Sequence, residues 1–125
     1  MKKGALLMIT PIFRIFDIEI AHRFYIKYLG FTLDWKHQFD EGMPLYFQIS
    51  LKDAVIHLSE HHGDSSPGSA IRIKMDEGLE SYHAALSEKG YAYSQPAIEK
   101  APWGTIEFTV IDPFSNRITF YEEMK

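Results

Sequence analysis

One order of predicted elements occurs twice in this chain, and that repeat limits the possible folds more than any other feature of the sequence. A strand-like stretch at 6–16 leads into a helical pattern over 17–30, and a second strand-like stretch at 70–75 leads into a helical pattern over 76–90. Each helical pattern begins at an aspartate, which can accept a capping hydrogen bond, and ends at a glycine. Three further strand-like stretches follow each helix. The sequence therefore predicts an α+β fold of two βαβββ modules.

The two modules are predicted to span 1–60 and 69–125, and together they form a single domain. The polar stretch 61–68 joins them, because its glycines and proline interrupt every periodicity. The strands predicted after the two helices lie at 31–39, 45–51, 54–59, 91–94, 105–111 and 118–122. Neither half can cover its own sheet, so two curled sheets that share a cavity are expected, within one chain or across a dimer.

Composition removes several classes of function. With 125 residues and 46% hydrophobic side chains, the chain has the size and apolar content of one globular domain. The absence of cysteine excludes disulfides, thiol nucleophiles and thiolate metal sites. A net charge of -4 argues against nucleic acid as a partner. No apolar stretch approaches the roughly 18 residues of a membrane span, and the expectation is a cytoplasmic protein without a membrane partner.

Three motifs resemble those of a known family. They are the Phe-Tyr to Tyr-Leu-Gly-Phe run at 24–31, Pro-Trp-Gly at 102–104 and Asp-Pro-Phe-Ser-Asn-Arg at 112–117. Together they resemble the vicinal oxygen chelate superfamily, which contains glyoxalase I, extradiol dioxygenases, fosfomycin-modifying enzymes and bleomycin-binding resistance proteins. The stretch 57–68 is similar to a subgroup described as glyoxalase-like or bleomycin-resistance-like. The resemblance covers nearly the whole chain and implies the paired βαβββ fold and a homodimer.

The resemblance also places the metal ligands of metal-dependent relatives on this chain. Three of those positions hold Thr10, Ala70 and Thr119, and the fourth holds His57. One imidazole cannot make a metal centre, since first-row ions need three or more protein ligands. We therefore expect no cofactor and a protein of the metal-free, ligand-sequestering branch. A lyase or isomerase of the glyoxalase type, with a divalent metal held by His57 and Glu107 in altered geometry, stays open as the alternative. So does a binding subunit whose cavity is filled by side chains.

A run of ionisable residues at 57–64 contains three histidines, one glutamate and one aspartate. On a strand, His57 and His61 share a face and can converge, whereas His62 points away. Three interpretations follow: a metal site, local hydrogen bonds that shape the crossover between modules, or a contact between His57 and a ligand.

Three aromatic residues are candidates for contact with a planar ligand. Trp103 lies in a loop between proline and glycine, where its flat face can cover an aromatic molecule. Trp35 and Phe39 are predicted to share a face of the second strand with Leu33 and His37. Packing in the core or at a dimer interface is the alternative for each.

Charged and polar candidates lie on the strands of the second module. Glu107, in an apolar strand, must be paired or functional. If Arg14 and Arg72 point into the cavity, the site is positive, which suits a carboxylate or phosphate ligand better than cationic bleomycin. Alternatively, the two arginines form ion pairs with Glu107 and Glu122. Tyr121 can hydrogen-bond a ligand or close the core.

The remaining motifs are interpreted as structural. The turn that starts at Asp112 is expected to place Asn116 in the left-handed conformation. The helix aromatics Phe24, Tyr25, Tyr28 and Tyr82 are assigned to packing. The sequence as a whole predicts a dimer that binds a planar or aromatic small molecule without metal.

Overall fold

The computed structural model describes residues 7–38, 40–90 and 96–124, which form two four-stranded mixed sheets. In each sheet the first strand of a module pairs in parallel with the last, and the other neighbours are antiparallel. The first sheet has the order β1 (Ile12–Arg14), β4 (Ala54–Ser59), β3 (Tyr46–Leu51), β2 (Thr32–His37). The second has the order β5 (Ala70–Lys74), β8 (Arg117–Glu123), β7 (Thr105–Ile111), β6 (Glu99–Ala101). The α+β fold of two βαβββ modules is confirmed.

The helix of the first module changes its geometry halfway along. It begins as α1 (Ile18–His22), where the Asp17 carboxylate accepts a hydrogen bond from the Ile20 N–H at 2.9 Å as expected for an N-cap. It continues as a π-helical segment, Arg23–Tyr28, in which the Leu29 N–H donates to the Phe24 carbonyl five residues back. The sequence predicts the helix but contains no pattern that predicts this wider turn.

The helix of the second module, α2 (Leu79–Lys89), ends as predicted at Gly90, which has a φ of 63°. Its start differs from the prediction. Gly78, with a φ of 86°, occupies the N-cap position that was assigned to Asp76. A glycine has no side chain with which to cap, and the Glu122 carboxylate accepts the Leu79 N–H at 3.1 Å instead. The cap therefore comes from a distant strand, which a local pattern cannot reveal.

Some predicted strand boundaries were wrong. Of the described part of the first predicted strand, 7–16, only 12–14 form a strand, and residues 7–10 are exposed. β6 was missed, since its polar sequence shows no apolar alternation. The strand predicted at 91–94 lies outside the described residues. Residues 60–69 contain neither helix nor strand, and they form turns at 62–64 and 67–68.

One hydrophobic core runs through both modules. Alternate residues of the strands point into it, together with the inner faces of the helices. Its fully buried members include Phe13, Ile15, Phe24, Tyr25, Ile49, Ile56, Leu58, Leu79, Val110 and Phe120. The intervening residues of the same strands, such as His57 and Thr119, are half-buried on the face of each sheet that points away from this core, which is called the outer face below. None of the helices in the described ranges is long and apolar enough to cross a bilayer.

A buried polar network joins the two modules. Asp112 accepts hydrogen bonds at one oxygen from the backbone N–H groups of Phe114 and Asn116, both at 2.8 Å. Its other oxygen accepts from the Tyr25 hydroxyl at 2.6 Å and from the Asn116 side-chain amide at 2.9 Å. Tyr25, assigned only to packing, thus also ties the first helix to the β7–β8 turn. Burial raises the pKa of Asp112 despite these bonds.

Asn116 bridges the two sheets at their edges. Its side-chain amide donates to the Arg14 carbonyl at 2.9 Å, and its side-chain oxygen accepts from the Ser69 N–H at 3.2 Å. Because Arg14 ends β1 and Ser69 precedes β5, one side chain holds both edge strands. The left-handed residue of this turn is Ser115, with a φ of 73°, and not Asn116 as predicted. Asn116 is instead needed for its amide.

Candidate functional site

The sequence-predicted site residues fall into two groups, one on the outer face of each sheet. The aromatic–imidazole cluster, on the first sheet, consists of Trp35, Tyr46, Gln48 and His57. The arginine cluster, on the second sheet, consists of Arg72, Trp103, Thr105, Glu107 and Tyr121. Six of the seven predicted residues belong to these clusters, and Phe39 lies outside the described residues.

In the aromatic–imidazole cluster, β3 and β4 place Tyr46, Gln48 and His57 side by side. Tyr46 and His57 are joined by a hydrogen bond of 2.6 Å between the hydroxyl and Nδ1, and His57 Nε2 lies 3.0 Å from Gln48 Oε1. The Trp35 ring stacks on Tyr46 at a centroid distance of 6.1 Å and meets His57 edge-on at 5.4 Å. The sequence analysis missed Tyr46 and Gln48, although alternation along β3 places both on the outer face.

The hydrogen bonds assign the neutral tautomer of His57. The Gln48 amide nitrogen donates to Asp34 at 3.0 Å, which turns the amide oxygen toward His57. That oxygen accepts the proton on Nε2, and Nδ1 is left to accept the Tyr46 hydroxyl. Burial lowers the pKa of His57. Burial and the charge of Asp64 raise the pKa of Tyr46. Proton transfer from tyrosine to histidine is therefore disfavoured, and the pair acts as a fixed polar surface.

A β-bulge in β2 directs Trp35 into this cluster. Leu33 pairs with Ile49, a core residue, but Trp35 pairs with Gln48, which lies on the outer face. The extra residue between them is Asp34, whose carboxylate accepts hydrogen bonds from Gln48 and Ser50. The prediction that Trp35 and Leu33 share a face was wrong, because strict alternation does not survive a bulge. Trp35 is 44% exposed.

The residues that follow His57 make local hydrogen bonds. The Ser59 hydroxyl donates to Asp64 at 2.6 Å and accepts from the His61 N–H at 3.0 Å. The Glu60 carboxylate accepts the Leu45 N–H at 2.9 Å. Of the three interpretations of this run, these contacts favour the one in which it shapes the crossover between modules.

The metal site that the family resemblance implies does not fit these side chains. Ala70 has no donor atom, and the Thr119 hydroxyl is hydrogen-bonded to that of Thr109 at 2.7 Å. Both ring nitrogens of His57 are engaged within the aromatic–imidazole cluster. Within 7–38, 40–90 and 96–124, no group of three histidine or carboxylate side chains is placed to hold an ion.

The arginine cluster is built around an ion pair. Two nitrogens of Arg72 donate to the two oxygens of Glu107, at 2.9 and 3.4 Å. The Thr105 hydroxyl donates to the same carboxylate at 2.8 Å, and the Trp103 side chain donates as well. The bond from Arg72 lowers the pKa of Glu107, and the bond to Glu107 raises that of Arg72. For Arg72, the structure favours the ion-pair interpretation over an uncompensated positive charge.

Aromatic rings flank the Arg72 guanidinium. It lies 4.5 Å from the centroid of Tyr121 and 5.9 Å from that of Trp103. Trp103 is 66% exposed, which contradicts a core role within this chain. The other arginine, Arg14, lies over Phe16 at 4.5 Å and donates to the Ile15 carbonyl, so the alternative pairing with Glu122 is not found.

Comparison with known proteins identifies the family. A family model described as glyoxalase superfamily protein matches residues 4–125. A search of the curated proteins found no match.

Solved structures share the fold at low sequence identity. A glyoxalase-related enzyme from Clostridium phytofermentans has a TM-score of 0.72 and 19% identity, over 98% of this chain and 100% of that one. A member of the glyoxalase/bleomycin resistance protein/dioxygenase superfamily from Sphaerobacter thermophilus has a TM-score of 0.70 and 21% identity, over 95% of this chain and 98% of that one. A bleomycin-binding protein complexed with bleomycin has a TM-score of 0.70 and 18% identity, over 94% of this chain and 99% of that one. With a family model that covers nearly its whole length and this shared fold, the chain belongs to the glyoxalase superfamily.

Proposed function

We propose that this protein binds a planar or aromatic small molecule on the outer faces of its sheets, without a metal ion, and sequesters it unchanged. The observation that carries the proposal is the aromatic–imidazole cluster, in which the exposed Trp35 ring lies beside the half-buried, hydrogen-bonded side chains of Tyr46 and His57. Sequestration of a bleomycin-like antibiotic is the most specific form of the proposal. The family resemblance extends it to a homodimer.

The aromatic rings supply the binding energy in this proposal. Trp35 is stacked on Tyr46, so little conformational freedom remains to be lost when a ligand covers it. Covering about 100 Å² of apolar ring surface contributes roughly 2.5 kcal/mol. Trp103 offers a second exposed ring beside Arg72. The polar atoms around both rings would fix the orientation of the ligand.

The chemistry of the clusters favours binding over catalysis. Tyr46 has a raised pKa and therefore keeps its proton near neutral pH, and both ring nitrogens of His57 are already hydrogen-bonded to Tyr46 and Gln48. Arg72 and Glu107 neutralise each other. The side chains at the family's ligand positions do not favour a metal-dependent lyase. The fold neighbour whose structure contains bleomycin supports a binding role for the shared architecture.

Tryptophan fluorescence and calorimetry test the proposal with a panel of planar aromatic compounds that includes bleomycin. We expect saturable binding by the metal-free protein, and about tenfold weaker binding after Trp35→Ala, since the loss of one covered ring costs more than 1.4 kcal/mol. Lys36→Gln is the matched control, because Lys36 neighbours Trp35 and pairs with core residue Phe47. One divalent ion per purified chain, or equal binding by both variants, would overturn the proposal.

A further inference from the structure

A concave region lies where the two modules meet. It is a cleft of about 590 Å³ that shares no residue with either cluster described above. One wall is the turn between β3 and β4, from Leu51 to Ala54, and the other is the connection from Met75 to Gly78 that leads into α2. Its size is in the range of cavities that hold small molecules.

The floor of the cleft is apolar. Ile73 and Phe120 come from the second sheet, and Leu51 comes from the first. Tyr82 presents its ring, because its hydroxyl donates to the Leu29 carbonyl at 2.6 Å. Met75, half-buried and unbranched, can adapt to different shapes. This floor suits an apolar body and not a fully hydrated ion.

The rim of the cleft is negative. Exposed carboxylates of Asp53, Asp76 and Glu77 line it, together with the ammonium groups of Lys52 and Lys74. Lys74 already pairs with Glu123, a residue outside the lining, at 2.8 Å. With the charge of Lys74 neutralised, the rim has three carboxylates and the single positive charge of Lys52, so it is negative overall, as is the whole chain with a net charge of -4.

The start of α2 does not reverse this sign. The positive end of the helix dipole faces the cleft at Gly78, but the Glu122 carboxylate already accepts the Leu79 N–H. The negative rim therefore determines which ligands the cleft favours.

We propose that this cleft binds an organic cation that carries an apolar or aromatic body: the body covers the floor and the cationic group lies at the acidic rim. This site is independent of the outer-face site proposed above. The cleft requires a positively charged ligand, whereas the outer-face site requires only a planar or aromatic one.

Three probes with one ring system test the charge requirement: naphthylmethyl-trimethylammonium, naphthylmethanol and naphthoate. Titrations followed by amide NMR shifts give both affinity and location. We expect the ammonium probe to shift amides at 52–54 and 75–81 and to bind about tenfold more tightly than naphthoate, with the difference shrinking at high salt. Equal affinity for all three probes, or shifts confined to the outer faces, would overturn the proposal.

Variants separate the rim from the floor. The double change Asp76→Asn with Glu77→Gln should weaken ammonium binding by about threefold to tenfold and leave naphthylmethanol unaffected. Ser81→Phe, at the exposed start of α2, should weaken all three probes by filling the cleft. Glu88→Gln, at the other end of the same helix, is the matched control. Trp35→Ala should leave these shifts unchanged, which separates this site from the outer-face site. Loss of ammonium binding in the Glu88→Gln variant would refute a localised acidic rim.

Discussion

Tyr25→Phe tests the polar network that joins the two modules. The change removes one hydroxyl, which donates to the Asp112 carboxylate at 2.6 Å, and keeps the ring that packs in the core. Tyr25 is fully buried and Asp112 nearly so. Water therefore cannot easily replace the lost donor, and the buried Asp112 carboxylate is left with one hydrogen bond fewer in the folded state.

The size of the effect follows from the charge of the acceptor. A hydrogen bond to a charged group contributes about 1.5–3 kcal/mol, so we expect Tyr25→Phe to lower the free energy of unfolding by that amount near neutral pH. Tyr82→Phe is the matched control. It removes a half-buried hydroxyl that donates at the same 2.6 Å, but to the neutral Leu29 carbonyl, which predicts about 0.5–1.5 kcal/mol.

The two variants should differ in their dependence on pH. Burial raises the pKa of Asp112 above 3.8, whereas the bond from Tyr25 lowers it, so the variant raises that pKa further. Between the unfolded and folded pKa values, the folded state binds more protons and stability falls as pH rises. Because Tyr25→Phe raises the folded pKa of Asp112, it widens the pH interval over which stability falls. Its cost should therefore be largest near neutral pH and shrink in acid.

Urea unfolding at about pH 7 and about pH 4, with both variants and the parent protein, measures these differences. The destabilisation by Tyr25→Phe should be smaller at the lower pH, while that by Tyr82→Phe should stay constant. Equal costs for the two variants at both values would refute the conclusion that Asp112 is a buried, charged acceptor.

Two further predictions concern His57 and Glu122. NMR titration should give His57 a pKa below 6.5, because burial disfavours its charged form. The folded state then binds fewer protons than the unfolded state, so the stability that the neutral ring contributes should fall as the pH drops below 6.5. A higher pKa would contradict the neutral form of His57. Glu122→Ala should cost about 0.5–2 kcal/mol in urea unfolding by removing the cap of Leu79. Glu123→Ala should cost clearly less, because solvent screens its exposed pair with Lys74. Equal costs would refute the capping role.

The sequence predicted the fold well because the repeat has strong local markers. Asp17 caps the first helix, Gly90 ends the second, and β4 begins and ends where the pattern placed it. Family motifs added the assignment to a superfamily that the comparisons confirm. The core strands followed from alternation, because one face of each sheet is buried.

What the sequence could not predict depends on contacts between distant residues. The cap of α2 comes from Glu122, 43 positions away from Leu79. The partners of Asp112 and Asn116 come from both modules. Neither cluster on the outer faces could be assembled without strand register, and the cleft at the module junction lies between segments that carry no motif.

The bulge at Asp34 has a consequence for how a duplicated fold acquires two different halves. A single additional residue in one strand inverts the direction of every side chain beyond it, while the backbone plan of both halves stays alike. The bulge brings the Trp35 indole to the outer face of the first sheet, whereas the cluster on the second sheet is built around the Arg72 guanidinium. Removing that residue would turn the indole to the core-facing side of the first sheet and leave the aromatic–imidazole cluster without its exposed ring.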